Sequence, residues 1–214
     1  MKMNFKKTVA AVTASACLML LMVAADMPTA TTGYKAGDKA RDFNLKNIDG
    51  TMMSLATNKL ATKGAIVIFT CNHCPFSIAY EDRINALNKK YQLQGYPVVA
   101  INPNDPAIEA DDSYANMQQR AKDKAFTFPY LLDNTQEIAR TYGAARTPHV
   151  YVLKKEGSDF VVKYVGAIDD NKDAPEAVTK KYVESAVNEL IAGKEVSQNF
   201  TKAIGCGIKW KKAN

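Results

Sequence analysis

Ala65-Ile66-Val67-Ile68-Phe69-Thr70-Cys71-Asn72-His73-Cys74-Pro75 joins an unbroken apolar run to two cysteines two residues apart and a proline. A short apolar run rich in β-branched residues predicts a buried strand. Beyond it, Phe76, Tyr80, Ile84, Leu87 and Tyr91 recur at helical spacing, and proline suits a first helical position. The two cysteines therefore fall at a strand-to-helix junction, where such a pair forms a redox dithiol. Unpaired N–H groups and the positive end of the helix dipole favour a thiolate there. A lowered pKa keeps that sulfur able to exchange disulfides near neutral pH.

His73 stands between the two cysteines. As an imidazolium or a hydrogen-bond donor it is expected to stabilise the Cys71 thiolate; the plainer alternative is a polar residue at a helix start. A purely structural Cys71–Cys74 bond is disfavoured, because so small a ring gains little loop-closure stability. Cys206 lies between Gly205 and Gly207, an irregular, close-packed setting. It is either an inert thiol or a third redox cysteine approaching the dithiol.

The beginning of the chain predicts a signal peptide over residues 1–25. Lys2, Lys6 and Lys7 precede an apolar stretch from Val9 to Ala25, and Val23-Ala24-Ala25 offers small residues for cleavage before Asp26. Retention as an anchor and lipidation at Cys17 are the alternatives. Residues 26–35 read as a linker, and residues 36–214 as one domain with a substantial core. Loss of those three lysines, with no acid lost, takes the net charge from +6 to +3. That balance makes no case for nucleic acid. An exported chain left with Cys71, Cys74 and Cys206 is no disulfide scaffold; it has one expected pair and one leftover thiol.

Phe43 to Leu45 and Thr51 to Leu55 flank Asp49-Gly50, a hairpin signal. Strands are expected at Pro97 to Asn102, Phe128 to Leu132, Pro148 to Leu153 and Phe160 to Val165. Ser113 caps one helix; Asp133 with Gln136 caps another that ends near Gly143; Pro175 opens the last, which ends at Gly193. Alternating strands and helices predict an α/β fold with a central mixed β-sheet flanked by helices.

The N-terminal hairpin, the strand leading to CxxC and the later Thr147-Pro148 resemble the thioredoxin superfamily. The segment from Pro97 to Gly143 is similar to peroxiredoxins and the redoxin (AhpC/TSA-type) group, as a peroxiredoxin-like insertion. Gly205-Cys206 with Ile208-Lys209-Trp210 resembles the ending of some CxxC-bearing members. The likeness implies that Cys71 is the more exposed, attacking sulfur and Cys74 the resolving one. It also implies that Pro148 is cis beside the dithiol, leaving the Thr147 backbone to pair with a substrate's extended chain.

Some positions depart from these families. Thr70 stands where thioredoxins carry Trp, and Ala65 to Phe69 holds no acid. No frame fits the peroxiredoxin Pro-x-x-x-Thr-x-x-Cys pattern, and neither Arg140 nor Arg146 is a clear peroxide-holding arginine.

The reading is therefore an exported thiol–disulfide oxidoreductase, periplasmic or in the cell envelope, working through Cys71, Cys74 and His73. Thr147 and Pro148 bind substrate, and Cys206 is a third redox candidate. It needs no cofactor or metal, and its partners are protein or small-molecule thiols and disulfides plus a redox partner protein. A thiol peroxidase and a copper-binding chaperone, the latter using the cysteines with His149, are the alternatives.

Overall fold

A computed structural model of the protein describes residues 33–212. The expected signal peptide and most of the expected linker lie outside them. Among the described residues no helix is long and apolar enough to cross a membrane.

The strand predicted first lies well inside the sheet. Ten strands run in chain order as β1 (Lys39–Ala40), β2 (Leu45–Asn47), β3 (Met52–Met53), β4 (Gly64–Phe69), β5 (Val98–Asn102), β6 (Tyr130–Leu132), β7 (Arg146–Thr147), β8 (His149–Glu156), β9 (Asp159–Gly166) and β10 (Cys206–Gly207). Four α-helices accompany them: α1 (Pro75–Tyr91), α2 (Tyr114–Asp123), α3 (Glu137–Tyr142) and α4 (Tyr182–Ile191). Eight strands form one sheet in the order β1-β9-β8-β4-β5-β6-β2-β3, and β10 pairs with β7 apart from it. β4, β5 and β6 are parallel, as the crossover helices α1 and α2 require. β8 and β9 are antiparallel, which makes the sheet mixed.

Every residue of β4 is buried, and alternation sends its side chains into two cores. Ile66 and Ile68 pack with α1, α2 and α4 through Ile84, Leu87, Met117 and Val187. Ala65, Val67 and Phe69 face Ile138, Ala139 and Tyr142 of α3. Gly64 is obligatory at the strand start, where an added Cβ would lie 2.0 Å from the Leu153 carbonyl oxygen.

Several expected boundaries move for identifiable reasons. The hairpin forms, with Leu45 opposite Met53, and Asp49 accepts from the Thr51 N–H in its turn. Its second strand is short because Asp42 captures the Leu55 and Ala56 N–H groups. Ser113 caps α2 through the Asn116 N–H as expected. Asp133 does serve α3, but by accepting from the Ala139 N–H. Gln136 sits before α3 in the left-handed region with no side-chain cap. Pro175 opens only a single 3-10 turn, and α4 begins at Tyr182. Between them, Asp170 takes the Thr179 and Lys180 N–H groups, which diverts the chain from helix. Residues 33–35, expected as linker, already belong to the fold: Tyr34 donates its N–H to the Tyr142 carbonyl and stacks edge-on against its ring.

Candidate functional site

Cys74 is the extended residue just before α1, and Pro75 opens the helix. The turn from β4 brings Cys71 to the same place, and Thr147, the last residue of β7, and Pro148, between β7 and β8, meet it there. The Thr147–Pro148 bond is cis, as the family likeness implied. Cys71 Sγ lies 3.1 Å from Thr147 Oγ1 and 3.8 Å from Ser77 Oγ. Cys74 Sγ lies 3.2 Å from the Thr147 carbonyl oxygen. One residue thus touches both sulfurs of the CxxC motif.

The bonded pair is not the one the spacing suggested. Cys74 forms a disulfide with Cys206, across a sequence separation of 132, and Cys71 is the free thiol. The tail makes this pairing, because β10 runs antiparallel to β7 with Cys206 opposite Thr147 and Gly207 opposite Arg146. The expected exposure of Cys71 is also absent in this state: Cys71 is 3 % exposed and Cys74 0 %. Burial, helped by the nearby Asp112 carboxylate, pushes the Cys71 thiol pKa up; its bond to Thr147 and the Cys74 N–H pull more weakly the other way. The place at the helix mouth led to the opposite expectation; burial, which disfavours the charged thiolate, is the largest cause of the rise.

His73 turns its ring toward acids. Nδ1 lies 2.6 Å from Asp112 Oδ2, and Nε2 lies 3.8 Å from Glu109 Oε2. Asp112 is the site residue that sequence reasoning missed. It is fully buried in a 3-10 turn (Ala110–Asp112) after β5. Its Oδ1 accepts from the Asn72 N–H at 2.6 Å and from Asn102 Nδ2 at 3.4 Å. Its Oδ2 accepts from Asn104 Nδ2 at 2.7 Å as well as from His73. Asn72 is held further by the Asp111 carbonyl and the Tyr130 hydroxyl. A buried carboxylate needs such a set of donors, and it fixes the middle of the CxxC turn. The only available sequence signal was topological: β5 lies beside β4 in parallel, so the loops after the two strands open at the same sheet edge.

Ligand-type atoms of Cys71, His73 and Asp112 lie within 4.8 Å of one another. The four donors on Asp112 occupy the lone-pair sites a cation would need, so this group reads as a hydrogen-bonded cluster rather than a ligand set. His149 stands apart from it, opposite Phe69 in β8. Its Nδ1 is 3.5 Å from the Tyr151 hydroxyl, and burial pulls its pKa down to about 4. The two arginines considered for peroxide binding serve the tail: Arg146 donates to the Gly205 carbonyl, and Arg140 stacks on Trp210.

The tail is anchored on both sides of Cys206. Upstream, Phe200 bridges to Val165, and Thr201 Oγ1 accepts from the Ala167 N–H. Downstream, Ile208 is buried, and the Lys209 N–H donates to Asn104 Oδ1 at 2.8 Å. Gln136 Nε2 donates to the Pro103 and Lys209 carbonyls, while its Oε1 accepts from the Lys211 N–H.

A CxxC turn at a helix start, packed against a cis-proline in a mixed sheet, defines a thioredoxin-like redox protein. Within that class the chain belongs to the AhpC/TSA family, whose match covers residues 36–168. The thiol-disulfide oxidoreductase ResA of Geobacillus thermodenitrificans is 27% identical over 149 residues, spanning 65% of this chain and 79% of that protein. Among solved structures, a conserved protein from Geobacillus kaustophilus superposes with a TM-score of 0.77 at 35% identity, over 84% of this chain and 94% of that one. A hypothetical protein from Sinorhizobium meliloti 1021 gives 0.77 at 30% identity, over 85% and 97%.

Proposed function

We propose that the protein is an exported thiol–disulfide oxidoreductase that exchanges disulfides through Cys71 and Cys74, with Cys206 as a third partner. One observation carries the reading: three cysteines converge on Thr147 of the cis-proline loop, two of them bonded and the third a free thiol in contact with the same residue. The ResA relatives carry thiol–disulfide oxidoreductase in their names, and the family match covers the strand, turn and helix that hold the motif.

Starting from three thiols, the Cys71 thiolate attacks one sulfur of a substrate disulfide, forming a mixed disulfide and expelling the other substrate sulfur as a thiolate. The Cys74 thiolate attacks Cys71 Sγ, which releases the second substrate thiol and leaves a Cys71–Cys74 disulfide. Attack by the Cys206 thiolate on Cys74 Sγ expels Cys71 as a thiolate that takes up a proton. That last exchange yields the pairing seen here. Substrates are thiols and disulfides of proteins or small molecules, in the periplasm or cell envelope.

Reacting the fully reduced protein with a small aromatic disulfide, followed by peptide mapping, tests this. Rapid exchange beginning at Cys71 is expected, with Cys71→Ser abolishing it; no exchange in the native protein sinks the proposal. Family membership keeps thiol peroxidase as a second reading, tested by peroxide consumption with a dithiol reductant.

A further inference from the structure

In the bonded state Cys71 and Cys74 are both buried, and Cys74 is bonded to Cys206 of the chain's own tail. We propose that residues Gly205–Gly207 occupy the place of an incoming substrate strand, and that reducing the Cys74–Cys206 bond lifts them and opens the Arg146–Thr147 edge to an extended polypeptide. This rests on the thiol–disulfide reading above and adds a gate to it.

Four observations carry the proposal. First, β10 forms an antiparallel ladder on β7, with Cys206 opposite Thr147. That is the pairing through which an extended segment adds to a free edge. Second, the fit is intimate. A Cβ at Gly205 would lie 2.1 Å from the Thr147 carbonyl oxygen, so only glycine permits this approach. Arg146 Nη1 closes over it, donating to the Gly205 carbonyl at 2.9 Å.

Third, the hold on this stretch is weak without the disulfide. A two-residue pairing is marginal by itself. The firm anchors lie outside it, at Phe200 and Thr201 on one side and at Ile208 and Lys209 on the other. Release is therefore confined to residues 202–207, and the tethered ends keep the segment at hand to re-close. Fourth, a cavity of about 270 Å³ runs beside the stretch, between Phe76, Pro148, Tyr182 and Ile204. Ile204 is an exposed apolar residue. Opening residues 202–207 joins this cavity to the freed edge, as accommodation of a polypeptide requires.

The opening step is a two-electron reduction by a dithiol. Cys74 is sealed, whereas Cys206 is only half-buried, so Cys206 is the sulfur attacked. A thiolate of the dithiol bonds to Cys206 Sγ and expels Cys74 as a thiolate, which is protonated. The dithiol's second thiolate then attacks its own sulfur in the mixed disulfide, frees Cys206 as a thiol and leaves the dithiol oxidised.

Amide hydrogen exchange on the full chain, with and without dithiothreitol, tests this alongside iodoacetamide labelling of Cys71 located by fragment ions. Reduction is expected to speed amide exchange at Cys206 and Thr147 by about tenfold or more, and to speed Cys71 labelling to a similar degree. Cys206→Ser reproduces the faster amide exchange at Thr147 without reductant, its fold checked by circular dichroism. Unchanged protection and labelling on reduction of the native chain overturn the gate. Cys71→Ser separates the gate from catalysis, because it retains the Cys74–Cys206 bond but not the attacking sulfur. Redox-linked opening in that variant supports the gate even if the native protein exchanges no disulfides. Exchange in the native protein with no such opening leaves catalysis standing and removes the gate.

Discussion

The strand, turn and helix of residues 64–91 and the tail of residues 199–211 meet at one sulfur, yet they are held by opposite means. The first is a buried strand followed by a helix whose apolar side chains fill the core. It is stabilised by apolar area removed from water. The second contains only the two-residue strand β10. It is held by a disulfide, by side chains bonded to its backbone and by one stacked indole. Burial is non-directional and leaves a periodic trace in the sequence. Point-to-point attachment leaves none.

That contrast can be broken or sharpened by experiment. The largest effect is expected on the tail side. The Cys74–Cys206 bond has a sequence separation of 132, and closing a loop of that length contributes about 5 kcal/mol. Urea unfolding of Cys206→Ser should show a loss of that order against the oxidised wild type. Equal stabilities would mean that the tail is held by its hydrogen bonds alone.

A somewhat smaller effect belongs to the sheet. Burial depresses the folded-state pKa of His149 from 6.5 to about 4. As pH falls below 6.5 the unfolded chain takes the proton first, so stability is full above that value and is lost on descending toward pH 4. The integrated loss is about 3 kcal/mol. It is measured as the pH slope of unfolding that His149→Gln removes. A slope surviving that substitution would place the titration elsewhere.

The smallest effect probes the junction between the two regions. Asp112→Asn keeps the shape but turns one of the two acceptor oxygens into an NH2 group facing other donors, at a cost of about 2 kcal/mol. Removing the carboxylate charge also lowers the Cys71 thiol pKa, since Asp112 raises it. The pH dependence of Cys71 alkylation in the reduced protein reads this directly, and an unshifted profile would show that Asp112 acts only on the turn.

The same contrast explains what the amino-acid order disclosed. β4, α1, β5, the β8–β9 pair and the Ser113 cap were legible because apolar period and capping chemistry are local signals. The cis bond at Pro148 came through family likeness rather than through any local pattern. The edge strand β1 is two residues long, too short for any alternation to register. Asp112 stood unmarked, because its four partners come from Asn72, His73, Asn102 and Asn104 and only the sheet order gathers them. The choice of Cys206 over Cys71 as the partner of Cys74 is decided by the β10–β7 register, which no spacing encodes.

Asn104 joins these halves more closely than their separation along the chain suggests. Its amide oxygen accepts from the Lys209 N–H, and its amide nitrogen donates to Asp112. Having an acceptor's task at one end and a donor's at the other, the side chain has one orientation that satisfies both neighbours. Aspartate in its place would match it in outline and set two like charges face to face in a dry interior. One amide thus ties the backbone at Lys209 to the carboxylate that holds the imidazole of His73.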